Sequence, residues 1–272
     1  MLNFSISPLA MLDSLVSNRT LAFQLANREV VGRYRGSSLG LLWSFFNPLF
    51  MLFIYTFVFS FVFNARWGVE SGTKTEFALV LFSGLMVFNI FADCITKAPS
   101  LIVSNVNYVK KVVFPLEILP LVTFGSAIFH FLISLMVWLI AYIFLLGLPP
   151  ITAIYFPIVL MPLLFFTMGV SWLLASLGVY VRDISQFIGI FTTALLFLSP
   201  IFYPLTALPE EYQVYMLYNP LTYVIEQTRD VLIWGKEINW SSWSCYMGAS
   251  IVVSWLGFAW FQKTRKGFAD VI

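Results

Sequence analysis

The sequence predicts an all-α integral membrane protein: six transmembrane helices, an N-terminal amphipathic interfacial helix, and short re-entrant outer helices between spans five and six. Three observations predict it. The 272 residues are 60% hydrophobic and only 10% charged, with a mean hydropathy of +0.89. A soluble domain carries about 25% charged residues, so this chain cannot cover its surface with water-facing groups and must use lipid as solvent. Apolar stretches near the length of about 20 residues that crosses the hydrocarbon core recur along the chain. Basic residues cluster in alternate connecting segments. The whole chain, 1–272, reads as a single transmembrane domain.

The first element is a polar segment, 14–36, in which Phe23, Ala26, Val30, Val31 and Tyr34 recur at i, i+3, i+7, i+8 and i+11, one face of a helix. Arg28 and Arg33 fall off that row, which reads as a helix lying on the inner membrane surface. Arg28, Arg33 and Arg35 then lead directly into a Phe-rich apolar stretch, as expected where a chain leaves a basic cytoplasmic surface for the bilayer. The first 38 residues hold no continuous apolar run, so the first span is expected to act as the insertion signal.

The spans are placed at 39–63, 77–95, 116–146, 151–181, 185–203 and 246–261. With the N-terminus inside, the inner segments hold 11 basic residues and the outer ones 4 (Arg66, Lys74, Arg229 and Lys236). The positive-inside rule therefore puts both termini in the cytoplasm. Residues 206–244, between spans five and six, hold Tyr212, Tyr215, Tyr218, Tyr223, Trp234, Trp240 and Trp243. Such rings favour the headgroup region, and Pro209 and Pro220 can each open a short helix. The expectation is two short helices dipping into the outer leaflet near a pathway mouth; a surface loop with an aromatic belt is the plainer alternative.

Several chemistries are missing from the sequence. There is no G-x-x-x-x-G-K-[ST] phosphate loop, no G-x-S-x-G serine, and no H-x-x-x-H or C-x-x-C pair, so neither an enzyme active site nor a metal site is expected. Nothing points to a nucleic-acid partner. Cys94 and Cys245 fall at opposite ends of spans and read as two small apolar residues. Few ionisable groups lie within the spans, where they normally mark an ion or proton path. Asp93 precedes Lys97 by four residues, the spacing of a helical ion pair, and the single histidine, His130, is expected to pair with a serine or a backbone carbonyl.

Aromatics are abundant instead. Phe46, Phe50, Phe53, Phe57 and Phe61 form one stripe of span one, with Trp43 just off it. Span five adds Phe187 and Phe191, then Phe197, Phe202 and Tyr203 near its outer end. Such a stripe faces lipid, another helix, or an aromatic-lined passage in which ring faces stack on the apolar C–H faces of sugars. Glu226, Arg229 and Asp230, at i, i+3 and i+4, are expected to pair locally and to form an outer gate.

Five motifs in order carry a family resemblance: R-Y-R-G-S-x-L-G-x-x-W at 33–43 with N-P-L at 47–49; N-x-x-x-V-K-K-V-x-F-P-L-E-x-L-P at 105–120; V-R-D-I at 181–184; S-P-I-F-Y-P at 199–204; and N-P-L-T at 219–222. They fall in the expected order over residues 22–234, most of the chain. The sequence resembles the membrane permease subunit of type-two ABC exporters, specifically the branch that exports polysaccharides such as O-antigen, capsule and teichoic acid. The resemblance implies a homodimer in the bacterial inner membrane working with two copies of a separate ATPase, which would bind the ATP and Mg²⁺; no cofactor is implied on this chain. The implied cargo is a lipid-linked polysaccharide, with O-antigen first, and an exporter of a small amphiphile as the competing reading.

Residue roles follow as expectations from that resemblance. Arg28, Arg33, Tyr34 and Arg35 would meet the ATPase and the lipid-pyrophosphate head, since the arginine fork suits phosphate oxygens. Lys110, Lys111, Pro115 and Glu117 in one inner loop, and Arg182 and Asp183 in the next, would couple to the ATPase. Trp43, Phe46, Phe50, Phe53, Phe57, Phe187, Phe191 and Tyr203 would line the glycan channel.

Overall fold

The computed structural model describes residues 5–58, 74–110 and 114–272, and no β-strand occurs among them. Lys111 and the outer end of the first predicted span, 59–63, lie outside the described residues. The chain opens with α1 (Pro8–Ser17) and α2 (Arg19–Arg33). Ser7 starts α1, its hydroxyl accepting from the Ala10 amide at 3.1 Å, and Pro8 occupies the first turn where no donor is needed. Asn18 separates the two helices; its side-chain amide donates to the Ser14 carbonyl at 2.9 Å and satisfies an end of α1.

Five segments are long and apolar enough to cross a membrane: Gly40–Val58, Glu76–Ser100, Leu116–Leu146, Ile151–Tyr180 and Trp240–Val271. They contain α3 (Trp43–Tyr55), α4 (Lys74–Lys97), α6 (Leu119–Leu146), α7 (Phe156–Tyr180) and α11 (Trp240–Thr264), with the short α5 (Val106–Val109) between α4 and α6. The fifth predicted span corresponds to α8 (Ile184–Leu198), apolar but only 15 residues long. At 1.5 Å per residue it covers about 22 Å, short of a hydrocarbon core of about 30 Å. It stops there because Pro200 lacks the amide that the next helical turn requires.

The helix α4 is the axis of the molecule. It is 83% buried over its apolar window, against 11% for the α3 segment, and it packs against α3, α6, α7, α8 and α10 (Pro220–Leu232). The largest helix pair is α7 with α11, where backbones touch. A Cβ on Gly169 would lie 2.5 Å from the Val253 carbonyl oxygen, and one on Gly257 would lie 2.0 Å from that of Gly169. Lipid tails are as apolar as leucine, so packing of small residues rather than hydrophobic exclusion holds such a pair together. Indole N–H groups staple helices elsewhere: Trp138 donates to Leu79 O and Trp243 to Ile158 O, each at 2.9 Å.

The segment after α8 folds as α9 (Glu210–Met216), which follows Pro209, and α10, which starts at Pro220 with the Asn219 side chain accepting from the Leu221 amide. The two differ in surroundings. Tyr212, Tyr215 and Tyr218 of and after α9 are exposed, whereas α10 is buried on Leu221, Val224, Ile225, Thr228, Arg229 and Val231 against α4 and α7. The C-terminus closes with α12 (Phe268–Val271), whose Phe268 is fully buried beside Phe261 and Tyr180.

Two sequence expectations are corrected here. The predicted apolar row of the N-terminal segment is split: Ala26 and Val30 are buried against α6, Tyr34 is half-buried, and Phe23 and Val31 are exposed. The cause is the packing of α2 onto α6, where Ala26 sits on Gly125. Lys97 does not pair with Asp93; its ammonium reaches across to Glu29 of α2 at 2.8 Å, an interhelical bridge in place of the local one.

Candidate functional site

The end of α2 separates the predicted phosphate-binding group into two recesses. Arg33 and Tyr34 line a cavity of about 300 Å³ between α3, α4 and α6. Arg28 lines a second recess of about 410 Å³ with Glu29, Lys97, Ser104 and Tyr108. Arg28 and Arg33 are five positions apart, which rotates them well away from each other on a helix of 3.6 residues per turn. Arg35 lies beyond the helix, exposed, and lines neither. Burial pushes the Tyr34 phenol above the usual tyrosine range, with Arg33 pulling the other way, so the hydroxyl stays a neutral hydrogen-bonding group.

The first cavity is polar within otherwise apolar spans. Ser44 and Asn47 of α3, Asn89 and Asp93 of α4, and His130 and Ser134 of α6 line it. Pro48, also in its wall, cannot donate to the Ser44 carbonyl one turn earlier, so α3 carries a helical acceptor without its usual donor there. His130 Nδ1 stands 3.5 Å from the Tyr34 hydroxyl, while its Nε2 is buried without a partner. Ser134 bonds the His130 backbone carbonyl rather than the ring. Asp93 lies within electrostatic reach of Arg33 and Lys97. The pairs Asn89/Asp93 and His130/Ser134 are each four apart, so polar pairs at one-turn spacing inside apolar spans were the signal available in the sequence.

The predicted coupling loops divide as well. Lys110, Arg182 and Asp183 are exposed, the last two in the tight turn between α7 and α8. Pro115 is half-buried and opens the 3-10 turn Leu116–Ile118 ahead of α6. Glu117 is buried and fully engaged within the chain. Its carboxylate accepts from Arg265 Nη1 at 2.5 Å and from Ser14 Oγ at 3.0 Å, and its carbonyl accepts from the Trp172 indole at 2.9 Å. Arg265 also donates to Phe114 O at 2.7 Å. Four separated segments thus meet at Glu117, and Arg265, absent from the sequence-level candidates, is the main partner of its carboxylate.

The predicted channel residues occupy two outward faces of the chain. Trp43, Phe50, Phe53 and Phe57 on the α3 segment and Phe187 and Phe191 on α8 are exposed; Phe46 and Tyr203 are half-buried. Phe187 and Phe191 stack with centroids 6.1 Å apart. The α3 and α8 helices both pack on α4.

On α10 the expected triad is only partly local. Arg229 bonds Glu226 at 2.9 Å, but Asp230 pairs with Lys236 at 3.0 Å and accepts from Gln227. The guanidinium is completely buried and donates to the backbone carbonyls of Val80, Pro200 and Ile201 at 3.3, 2.6 and 2.9 Å. Burial pulls its pKa down to about 10, with Glu226 acting the other way, so it remains charged at neutral pH. Position 84 is glycine because a Cβ there would stand 2.9 Å from Arg229 Nη2.

The sequence profile of the family described as ABC-2 type transporter matches residues 20–233. The chain is 28% identical over 250 residues to an O-antigen export system permease protein RfbA of Klebsiella pneumoniae, covering 91% of this chain and 93% of that one. It is 26% identical to the O-antigen export system permease protein RfbA of Myxococcus xanthus, over 95% and 97% of the two chains. Similarity extends to the polysialic acid transport protein KpsM of Escherichia coli, 23% identical over 88% and 91%.

Proposed function

The chain belongs to the ABC-2 type transporter family, and we propose that it is the membrane half of an ATP-driven exporter of lipid-linked polysaccharide, with O-antigen as the cargo. It is a multi-pass membrane protein of the transporter-permease type. The observation that carries the cargo is end-to-end similarity to permeases named for O-antigen export, over more than nine-tenths of both chains. The KpsM similarity, at lower identity, favours a capsule-type polymer as the second reading.

In this reading six helices cross the bacterial inner membrane, α8 completing its crossing with the non-helical residues 199–203, and both termini are cytoplasmic. The helices α9 and α10 re-enter the outer leaflet. The backbone of such a segment must be covered by protein, and the burial of α10 against α4 and α7 suits that requirement. Two copies of the chain bring their α3 and α8 faces together, so that the exposed rings line a passage tolerant of many sugars. Two ATPase subunits, which hold the ATP and Mg²⁺, dock on Lys110, Lys111, Arg182 and Asp183. Arg28 and Arg33, in separate recesses, bind the lipid-pyrophosphate with Tyr34 and Arg35. Closure of the ATPase would act on α6 through Pro115 and the Glu117–Arg265 clamp, and Glu226, Arg229 and Asp230 would hold the outer gate.

The test is depletion of the chain in its own organism. Lipid-linked glycan gathering on the cytoplasmic side, with loss of surface polymer, is the expected outcome and identifies the cargo. Normal surface polymer would remove the polysaccharide reading and favour export of a small amphiphile.

A further inference from the structure

The cavity behind the α3 face has chemistry that the export reading leaves unused. Asn89 lies near the middle of the Glu76–Ser100 span and is exposed, in a helix otherwise almost wholly buried. Asn47, Asn89 and Asp93 make no hydrogen bond among the described residues, and the buried His130 Nε2 has no partner. Asn47 and Asn89 are exposed and Asp93 is half-buried, so three polar groups free to bond a guest line the cavity beside one buried nitrogen that lacks a partner, and polar groups gathered within apolar spans mark a functional place.

The groups define that guest. Amides both donate and accept, a carboxylate accepts, and an imidazole does either. Asp93 repels an anion, while Arg33 in the same lining disfavours a bare cation, and Lys97 near Asp93 is already paired with Glu29. A neutral molecule rich in hydroxyls satisfies all of them. Phe88 and Phe131 in the same wall offer apolar ring surface to its C–H faces. The volume, about 300 Å³, is at the small end of ligand pockets and suits a single ring rather than a length of polymer. Arg33 and Tyr34 stand in the same lining, so a molecule held there also borders the basic inner rim.

We propose that this cavity is a sugar subsite: it takes one neutral pyranose ring of the cargo, through hydrogen bonds to Asn47, Asn89, Asp93 and His130, as the polymer enters. The proposal rests on the polysaccharide-export reading.

A cysteine-protection experiment tests it. Cys245 is exposed and Cys94 buried, so Cys245→Ser gives a quiet background. Asn89→Cys is introduced there, and Ser134→Cys in a second strain as a reporter independent of any folding defect in the first. Labelling by a small water-soluble thiol reagent is timed in inner-membrane vesicles from cells that make the glycan and from cells blocked in its synthesis. The expected result is ready labelling without glycan and several-fold slower labelling with it. Equal rates in both membranes would mean that the cavity holds only solvent, and no labelling at either position would mean that it is closed; each overturns the subsite. Depletion in the same strain separates the two readings: lost surface polymer with equal labelling rates removes the subsite alone, whereas unchanged surface polymer removes the export reading and the subsite with it.

Discussion

Arg229 shows how one residue can tie α10 to α4 and to the turn after α8. Its side chain ends α10 against α4 through Val80 O and against the turn after α8 through Pro200 O and Ile201 O. Arg229→Met leaves those carbonyls and Glu226 without a buried partner, and should lower stability by about 3–5 kcal/mol, read as thermal unfolding in detergent. Glu226 is about one-third exposed, 35%, so Glu226→Gln should cost about 1 kcal/mol or less. Gly84→Ala should resemble a mild Arg229 defect, because its Cβ displaces the guanidinium. In the Glu117 cluster, Arg265→Ala should cost about 3 kcal/mol by stranding Glu117. Exchanging the two charges, Glu117→Arg with Arg265→Glu, should recover only part of that loss in a double-mutant cycle, since Ser14 Oγ and Phe114 O lose their present partners.

At the scale of elements, the α7–α11 pair depends on the absence of side chains. Gly169→Ala and Gly257→Ala each drive a methyl into a facing backbone, which cannot yield as a side chain would. Each should destabilise by about 1–3 kcal/mol or more. Gly248, in the same α11, has nothing within 4 Å, so Gly248→Ala should be neutral or stabilising, since alanine is favoured in helices by up to about 1 kcal/mol. A thermal-shift comparison of the three variants checks this. The shortness of α8 has an equally local cause in Pro200. The burial of α10 does not: an amphipathic sequence alone cannot say whether its apolar side meets lipid or protein, and α4 and α7 supply the answer.

For the molecule as a whole, a buried α4 carries two poorly covered helices, α3 and α8, whose rings point outward. Exposed apolar surface of this extent in a membrane protein is normal against lipid, so its assignment to a passage rests on the proposed dimer. Phe53→Ala and Phe187→Ala, both on exposed positions, should leave protein level unchanged and reduce surface polymer. Asp183→Arg, in the exposed turn between α7 and α8, should reduce the amount of ATPase that copurifies. Retention of full ATPase binding and export would remove that turn from the coupling surface.

Hydropathy and charge spacing determined the class of protein, five of the six predicted membrane-crossing segments and the positions of most helices, because period and length are properties of the chain itself. The ordered motifs pointed to the family, and Pro209 and Pro220 marked where α9 and α10 begin. Only the tertiary structure decided partnership. Lys97 chose Glu29 over Asp93, Glu117 chose Arg265 from 148 positions away, and Arg229 chose three carbonyls, two of them across the turn after α8. Long side chains bond whatever packing brings within reach, and that is set by how α2, α4, α6 and α10 lie together. The polar cavity is of the same kind: Asn47, Asn89, Asp93 and His130 are scattered over three spans and become a site only when α3, α4 and α6 pack.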